Sequence, residues 1–385
     1  MIPYSRQSIS EDDIQAVVEV LKSDFLTQGP VVPRFEQAVA DYCRAIHAVA
    51  VNSATSALHL ACLALGVKPG DMVWTSPITF VASANCALYC GASVDFVDID
   101  PDTYNLSVEC LTKKLAEAEC QGRLPKVVIP VHFGGLSCDM VAIRELSRRY
   151  GFKIIEDASH AIGGQYCDEP IGCCRYSEIT VFSFHPVKII TTGEGGIAVT
   201  NDIELARRMA LLRSHGITRD ANQMTHEPDG PWYYQQIELG FNYRMTDLQA
   251  ALGLSQLNRL DAFVERRHRL ADLYRQRLID LPVNWQLQPD DCRSSLHLFV
   301  IRLQNSGVGK PHLEVFRLLR SADIGVNLHY IPVHLQPFYQ NKGFKPGDYP
   351  EAEKYYSEAI SLPLYPDLTE SQLCEVAKVL GASLN

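Results

Sequence analysis

Long apolar runs are missing from this 385-residue chain. Its most apolar stretch, Ala48 to Val67, is interrupted by Asn52, Ser53, Thr55 and His59, which would be costly in a bilayer core, so no membrane span is expected. Clustered basic residues are missing too. With 35 Lys and Arg against 45 Asp and Glu, the formal net charge is -10. A nucleic-acid surface needs runs of Lys and Arg, so nucleic acid is not an expected partner. The segment Met1 to Ser8 lacks the apolar core of a signal peptide, and a cytoplasmic location is expected. The twelve cysteines contain no C-x-x-C pair, and the nearest sets are Cys86/Cys90 and Cys173/Cys174. Reduced, mostly buried thiols are therefore expected, and no metal site. Repeats and low-complexity tracts are absent. What remains is ordinary globular composition, 46% hydrophobic and 21% charged, outside the range of disordered chains. The length suits two domains, or a large domain with a smaller appendage.

Periodicity supplies an architecture. Behind Ser10, the residues Ile14, Val17, Val18 and Leu21 fall on one face of a helix over 11–21 with an acidic first turn. A second helix is expected over 35–46, a buried strand over 48–51, and a third helix from Ala54 that stops at Gly66. Short apolar runs at 72–75, 93–97, 127–131, 152–155 and 179–184 then alternate with helical stretches at 81–89 and 140–150. That alternation reads as an α/β fold with a mostly parallel sheet. From about Asp247 a long charged helical pattern runs to about Leu281 and reads as a connector into a smaller C-terminal α+β domain. The expected division is a large domain over 1–247 and a small one over 248–385. The stretch 219–232, rich in Asp, Asn, Pro and Gly, is a loop.

The chemistry gathers at strand ends. Ile154-Ile155-Glu156-Asp157 closes a strand on two carboxylates, and open α/β sheets bind ligands beyond the carboxyl ends of their strands. Another strand ends in Phe182-Ser183-Phe184-His185-Pro186-Val187-Lys188, followed by the Gly-rich turn Gly193-Glu194-Gly195-Gly196. Pyridoxal phosphate needs a Lys to form a Schiff base and a carboxylate to keep its pyridine nitrogen protonated. Its phosphate needs donors, which the helix start at Ala54-Thr55-Ser56 offers directly after a strand, with Ser183 as a further hydroxyl. Phe80 is a flat face for ring stacking. Singly, each signal is weak: a lone strand-end Asp or loop Lys is more often a solvated surface group, His160 a structural histidine, Phe80 core, and Thr55 and Ser56 simple caps. Their order along the chain raises the odds.

That order carries a resemblance. The set Asn52-Ser53-Ala54-Thr55-Ser56-Ala57-Leu58, Pro77-Ile78-Thr79-Phe80-Val81-Ala82, Glu156-Asp157-Ala158-Ser159-His160-Ala161, the Lys188 segment, the Gly-rich turn and Gly240-Phe241-Asn242-Tyr243-Arg244-Met245 resembles the DegT/DnrJ/EryC1/StrS sugar aminotransferases over nearly the whole chain. The resemblance implies the fold type I of pyridoxal-phosphate-dependent transferases. It implies Lys188 as the Schiff-base lysine, Asp157 on the pyridine nitrogen and His160 near the ring hydroxyl. Thr55, Ser56 and Ser183 match phosphate positions, and Phe80 the stacking aromatic. Asn242 matches a residue that reaches the phosphate in the neighbouring subunit, which implies a homodimer with two shared sites. Arg244, His215, His329 and Tyr330 match substrate-side groups. Within the family, Leu26-Thr27-Gln28-Gly29, Arg213-Ser214-His215-Gly216, Gly253 to Leu257 and Val326 to Tyr330 point to the branch serving pseudaminic acid biosynthesis. Its substrates would be L-glutamate, which leaves as 2-oxoglutarate, and a UDP-linked 4-keto-6-deoxy amino sugar. Relatives that dehydrate keto sugars have His at the lysine position, so Lys188 argues for transamination, and an intact Lys, Asp and phosphate set argues against a non-catalytic binder.

Overall fold

A computed structural model of the chain describes residues 1–304, 307 and 309–384. Its centre is a seven-stranded sheet in the order His47–Val51, Gly196–Thr200, Ile179–Ser183, Lys153–Asp157, Val127–Ile129, Met72–Thr75, Ser93–Phe96. Every neighbouring pair is parallel except the two made by Gly196–Thr200, which runs against both flanking strands. The expected α/β class with a mostly parallel sheet is the observed one. Ile179–Ser183 and Gly196–Thr200 are buried at every position, as strands covered on both faces must be.

The helix caps follow their sequence signals. Ser53 caps Ala54–Ala64, its side chain accepting from the Ser56 amide, and Asp139 caps Met140–Tyr150, which stops at Gly151 in the left-handed region. Ser10 and Asp13 form a reciprocal capping box at the start of Glu11–Leu21. The buried face of that helix differs from the expected one. Ile14 and Leu21 are 49% and 57% exposed, whereas Asp13 and Val20 are buried. The reason is polar: the Asp13 carboxylate accepts from Ser255 Oγ and Gln256 Nε2 at 2.6 Å each and pairs with Arg259, docking the helix on Asp247–Leu257.

The long helical pattern after Asp247 is two helices, Asp247–Leu257 and Leu260–Leu278. At the break, Arg259 leaves helical geometry and donates to Ser8 O and Asp13. The later helix packs with Glu370–Leu384, beside an antiparallel sheet of Val283–Trp285, Phe299–Leu303 and Ala359–Leu362. Leu270, Tyr274, Phe299, Ile360, Leu373 and Leu380 form this second core. Arg267 is buried within this layer and donates to the carbonyls of Leu296, His297 and Leu364. Among the described residues no helix is long and apolar enough to cross a membrane.

Candidate active site

A cavity of about 980 Å³ opens at the carboxyl ends of the central strands, walled on its far side by the 327–330 segment. Side-chain alternation along Lys153–Asp157 sends the two terminal carboxylates to opposite faces. Glu156 turns away from the cavity and is buried against His132 Nε2 at 2.7 Å, Ser177 Oγ at 2.5 Å and Thr180 Oγ1 at 3.1 Å. Burial pushes its pKa up, but His132 and the two hydroxyls outweigh that and hold it below the usual carboxylate range. Asp157 lines the cavity. Ser83 Oγ donates to its Oδ2 at 2.6 Å and Ser159 Oγ to its Oδ1 at 2.6 Å. Ser83 Oγ lies 2.7 Å from Thr79 Oγ1; with its own proton committed to Asp157, it accepts from Thr79.

Lys188 sits in the loop between the buried strands Ile179–Ser183 and Gly196–Thr200. The base of that loop is closed by the register pair Ser183 and Gly196 and by the Phe184 amide donating to Gly195 O at 2.9 Å. Burial lowers the Lys188 pKa to about 8, with the Asp157 charge opposing the shift. The neutral amine, which is the nucleophile, is then roughly 300-fold more abundant at neutral pH than for an ordinary lysine.

The first turn of Ala54–Ala64 lines the same cavity. Ser53 occupies the Ser56 amide, which leaves the amides of Ala54 and Thr55 without intrahelical acceptors. The Ser56 hydroxyl donates to Asn52 Oδ1 at 2.7 Å, so its proton is already committed while the Thr55 hydroxyl and the two amides are open. A Cβ on Gly196 would lie 2.4 Å from Ala54 N, so only glycine lets the antiparallel strand pass beneath this helix start. Phe80 is 58% exposed at the cavity wall, its ring 6.3 Å from that of Tyr330.

His160 is fixed in one tautomer. The Gly134 amide donates to its Nδ1 at 3.2 Å, and burial, then Lys188 and His329, hold its pKa well below the ordinary value. The neutral ring therefore carries its proton on Nε2 and donates to Tyr330 Oη at 3.0 Å. Its ring also lies 4.4 Å from that of His297.

Of the residues singled out in the sequence, Thr55, Ser56, Phe80, Asp157, His160, Ser183, Lys188, His329 and Tyr330 line this one cavity. His215, Asn242 and Arg244 do not. They lie on two neighbouring segments, bridged to each other between Ser214 and Asn242 and to the end of His47–Val51 between Arg244 and Val51, with His215 and Asn242 exposed. Sequence reasoning missed Tyr4, Ser83, Ser159, His185, Gln249 and Asn327. Ser159 carried a local signal, since an Asp followed two residues later by Ser forms an Asx turn; Ser83, His185 and Asn327 stand beside residues already singled out, and Tyr4 and Gln249 arrive from distant segments.

The model of the DegT/DnrJ/EryC1/StrS aminotransferase family matches residues 7–381. The chain belongs to that family. It is 40% identical over 382 residues to the spore coat polysaccharide biosynthesis protein SpsC of Bacillus subtilis, covering 98% of this chain and 96% of that protein. It is 38% identical over 369 residues to the UDP-4-amino-4,6-dideoxy-N-acetyl-beta-L-altrosamine transaminase of Campylobacter jejuni, covering 96% and 93%. Among solved structures, PseC of Helicobacter pylori, an aminotransferase of pseudoaminic acid biosynthesis, matches with TM-score 0.90 at 30% identity, over 100% of this chain and 99% of that one. Sugar aminotransferases of this family use pyridoxal 5'-phosphate, and solved neighbours occur in PLP and PMP forms. The cavity fits that cofactor: open amides for a phosphate, an aromatic face, a carboxylate and a lysine with a depressed pKa share it.

Proposed function

We propose that this aminotransferase moves the amino group of L-glutamate to C4 of a UDP-linked 2-acetamido-2,6-dideoxy-4-hexulose. The product would be UDP-4-amino-4,6-dideoxy-N-acetyl-β-L-altrosamine, on the route to pseudaminic acid, made by a cytoplasmic homodimer. The observation that carries the reaction type is Lys188, with its pKa near 8, in one cavity with Asp157 and the open Ala54 and Thr55 amides. The choice of sugar is supported by the 38% identity to the Campylobacter transaminase.

When bound, pyridoxal phosphate supplies an aldehyde that carries the amino group and a ring that withdraws electrons. The chain's own groups do the rest. Asp157, oriented by Ser83 and Ser159, would keep the ring nitrogen protonated. Lys188 would hold the cofactor through its amine and, as a free amine, would take up and return the proton at the substrate carbon. Thr55, Ser183 and the helix amides would hold the phosphate, Phe80 would offer its face to the ring, and His160 would serve the ring hydroxyl.

Lys188 is the only Lys or Arg along this cavity among the described residues. A diphosphate and two substrate carboxylates need more cations, and in the proposed homodimer Arg244, together with the polar His215 and Asn242, would reach a neighbouring copy's cavity. The half-exposed Ile14, Leu21, Phe25 and Leu26 are apolar surface such a copy would cover.

The test is to supply candidate UDP-keto sugars with glutamate and assign the product's C4 configuration by NMR. Reaction of an L-arabino-type ketone is expected; an inert L-arabino ketone beside a reactive D-xylo one overturns the choice of sugar. Lys188→Ala should abolish turnover, and ordinary turnover by that variant would refute the reaction type.

A further inference from the structure

Helix Ala54–Ala64 packs against helix Ala82–Tyr89, and three free thiols share the apolar cluster between them: Cys62 on the first helix, Cys86 within the second and Cys90 at its C-cap. His59 stands three residues before Cys62, and Cys86 four before Cys90, so each pair shares a helix face. The three thiols are not equivalent. Cys86 Sγ donates to Ser83 O at 3.2 Å, which commits its proton. Cys62 lies within hydrogen-bonding reach of the other two, and Cys90 within reach of His59 as well. Cys62 and Cys86 are 0% exposed and Cys90 is 8% exposed, so an oxidant arriving from solvent meets Cys90 first.

Burial pushes the thiols of Cys43, Cys138 and Cys174 up, as in inert core cysteines. Cys90 moves the other way: the Cys62 thiol donating to it outweighs burial, and His59 adds to the effect. The helix itself gives no help, because a C-cap stands at the negative end of the dipole. His59 is held in place, with Nδ1 3.2 Å from Tyr243 Oη and its ring 4.9 Å from that of Phe241, which leaves the other ring nitrogen for Cys90. A sulfur with thiolate character at the edge of the core, beside a second thiol able to displace oxygen from it, has the parts of a reversible redox pair.

We propose that Cys90 and Cys62 are a peroxide-reactive modification site that closes reversibly into a disulfide. The Cys90 sulfur attacks one oxygen of hydrogen peroxide; the O–O bond breaks, Cys90 becomes a sulfenic acid, and the departing hydroxide takes a proton and leaves as water. The Cys62 sulfur then attacks the Cys90 sulfur, the S–S bond forms and a second water leaves, so two thiols have given two electrons to one peroxide. A dithiol reverses the change. The bond would tie the helix whose start lines the cavity to the helix whose Ser83 donates to Asp157. The test treats holoenzyme with hydrogen peroxide, then denatures it, alkylates the remaining thiols and maps chymotryptic peptides, since Tyr89 separates Cys86 from Cys90. Cys62 and Cys90 should be lost together, at least about tenfold faster than the exposed Cys110 and Cys120, as one cross-linked peptide pair that dithiothreitol releases. In Cys62→Ser, checked for folding by thermal melting, Cys90 should stop at the sulfenic acid and take up dimedone. Oxidation of Cys90 no faster than of Cys110 and Cys120, or a bond from Cys90 to Cys86 instead, overturns the proposal in the unaltered protein; a folded Cys62→Ser whose Cys90 takes up no dimedone overturns it too.

Discussion

Replacing Gly196 by Ala adds one methyl group where the structure has no room for it. The new carbon would sit 2.4 Å from Ala54 N, 2.5 Å from Ser53 C and 2.6 Å from Ala54 Cα, against ordinary contacts of 3.4 Å or more. All three neighbours are backbone, so no side chain can swing aside. The strand cannot yield either, because Gly196 is paired to Val51 on one side and Ser183 on the other. The helix start must therefore retreat by about 1 Å, a displacement that can cost about a hundredfold at a reacting site. Overpacking of this kind destabilises by about 1–3 kcal/mol. The larger effect falls on the cofactor. The Ala54 and Thr55 amides would be drawn off the phosphate, and a hydrogen bond to a charged group contributes about 1.5–3 kcal/mol. The dissociation constant for pyridoxal phosphate should rise roughly ten- to a hundredfold. Titration of cofactor-free protein, followed by the visible band, measures it, with urea unfolding as the companion. Gly381→Ala is the control, since its Cβ would stand 3.5 Å from the nearest side-chain atom. Wild-type affinity in Gly196→Ala would refute the assignment of this helix start to the phosphate.

Asp157→Asn should lower single-turnover rates by about a hundredfold or more, with the fold retained, since the amide is isosteric; near-normal rates would remove Asp157 from its assigned role. Uptake of pyridoxal phosphate by cofactor-free protein requires neutral Lys188, so its rate should fall as pH drops below about 8 and level off above it. In Asp157→Asn that midpoint should shift to lower pH, because the carboxylate opposes the burial effect; stopped-flow absorbance reads both, and a midpoint above pH 10 would contradict the buried setting of the lysine. Arg267→Met strips donors from three buried carbonyls and should cost about 2–4 kcal/mol in denaturant unfolding.

The legible parts of this molecule were those whose physics is local. The strand of Lys153–Asp157, the Ser10 cap and the helices starting at Ala54 and Met140 rest on neighbours a few positions apart, and each formed close to where expected, with Ser53 and Asp139 found as the caps of the latter two. Lys188 and Asp157 were readable because strand ends carry their chemistry to one edge of the sheet. Contacts made across the chain were not readable. The exposed Ile14 and Leu21 follow from Asp13 finding Ser255, Gln256 and Arg259 far along the sequence. The break at Arg259 has that same cause. Tyr4 reaches the cavity through bonds to Asp323, Gly325, Leu364 and Val187. No helical or strand period encodes such a meeting.

The reversed direction of Gly196–Thr200 couples two parts of the cavity. The loop bearing Lys188 leaves the sheet at Ser183 and returns at Gly196, and Gly196 is also the residue that seats the Ala54 helix start. The lysine loop and the helix start therefore share one backbone hinge pin, and a shift of either is felt by the other.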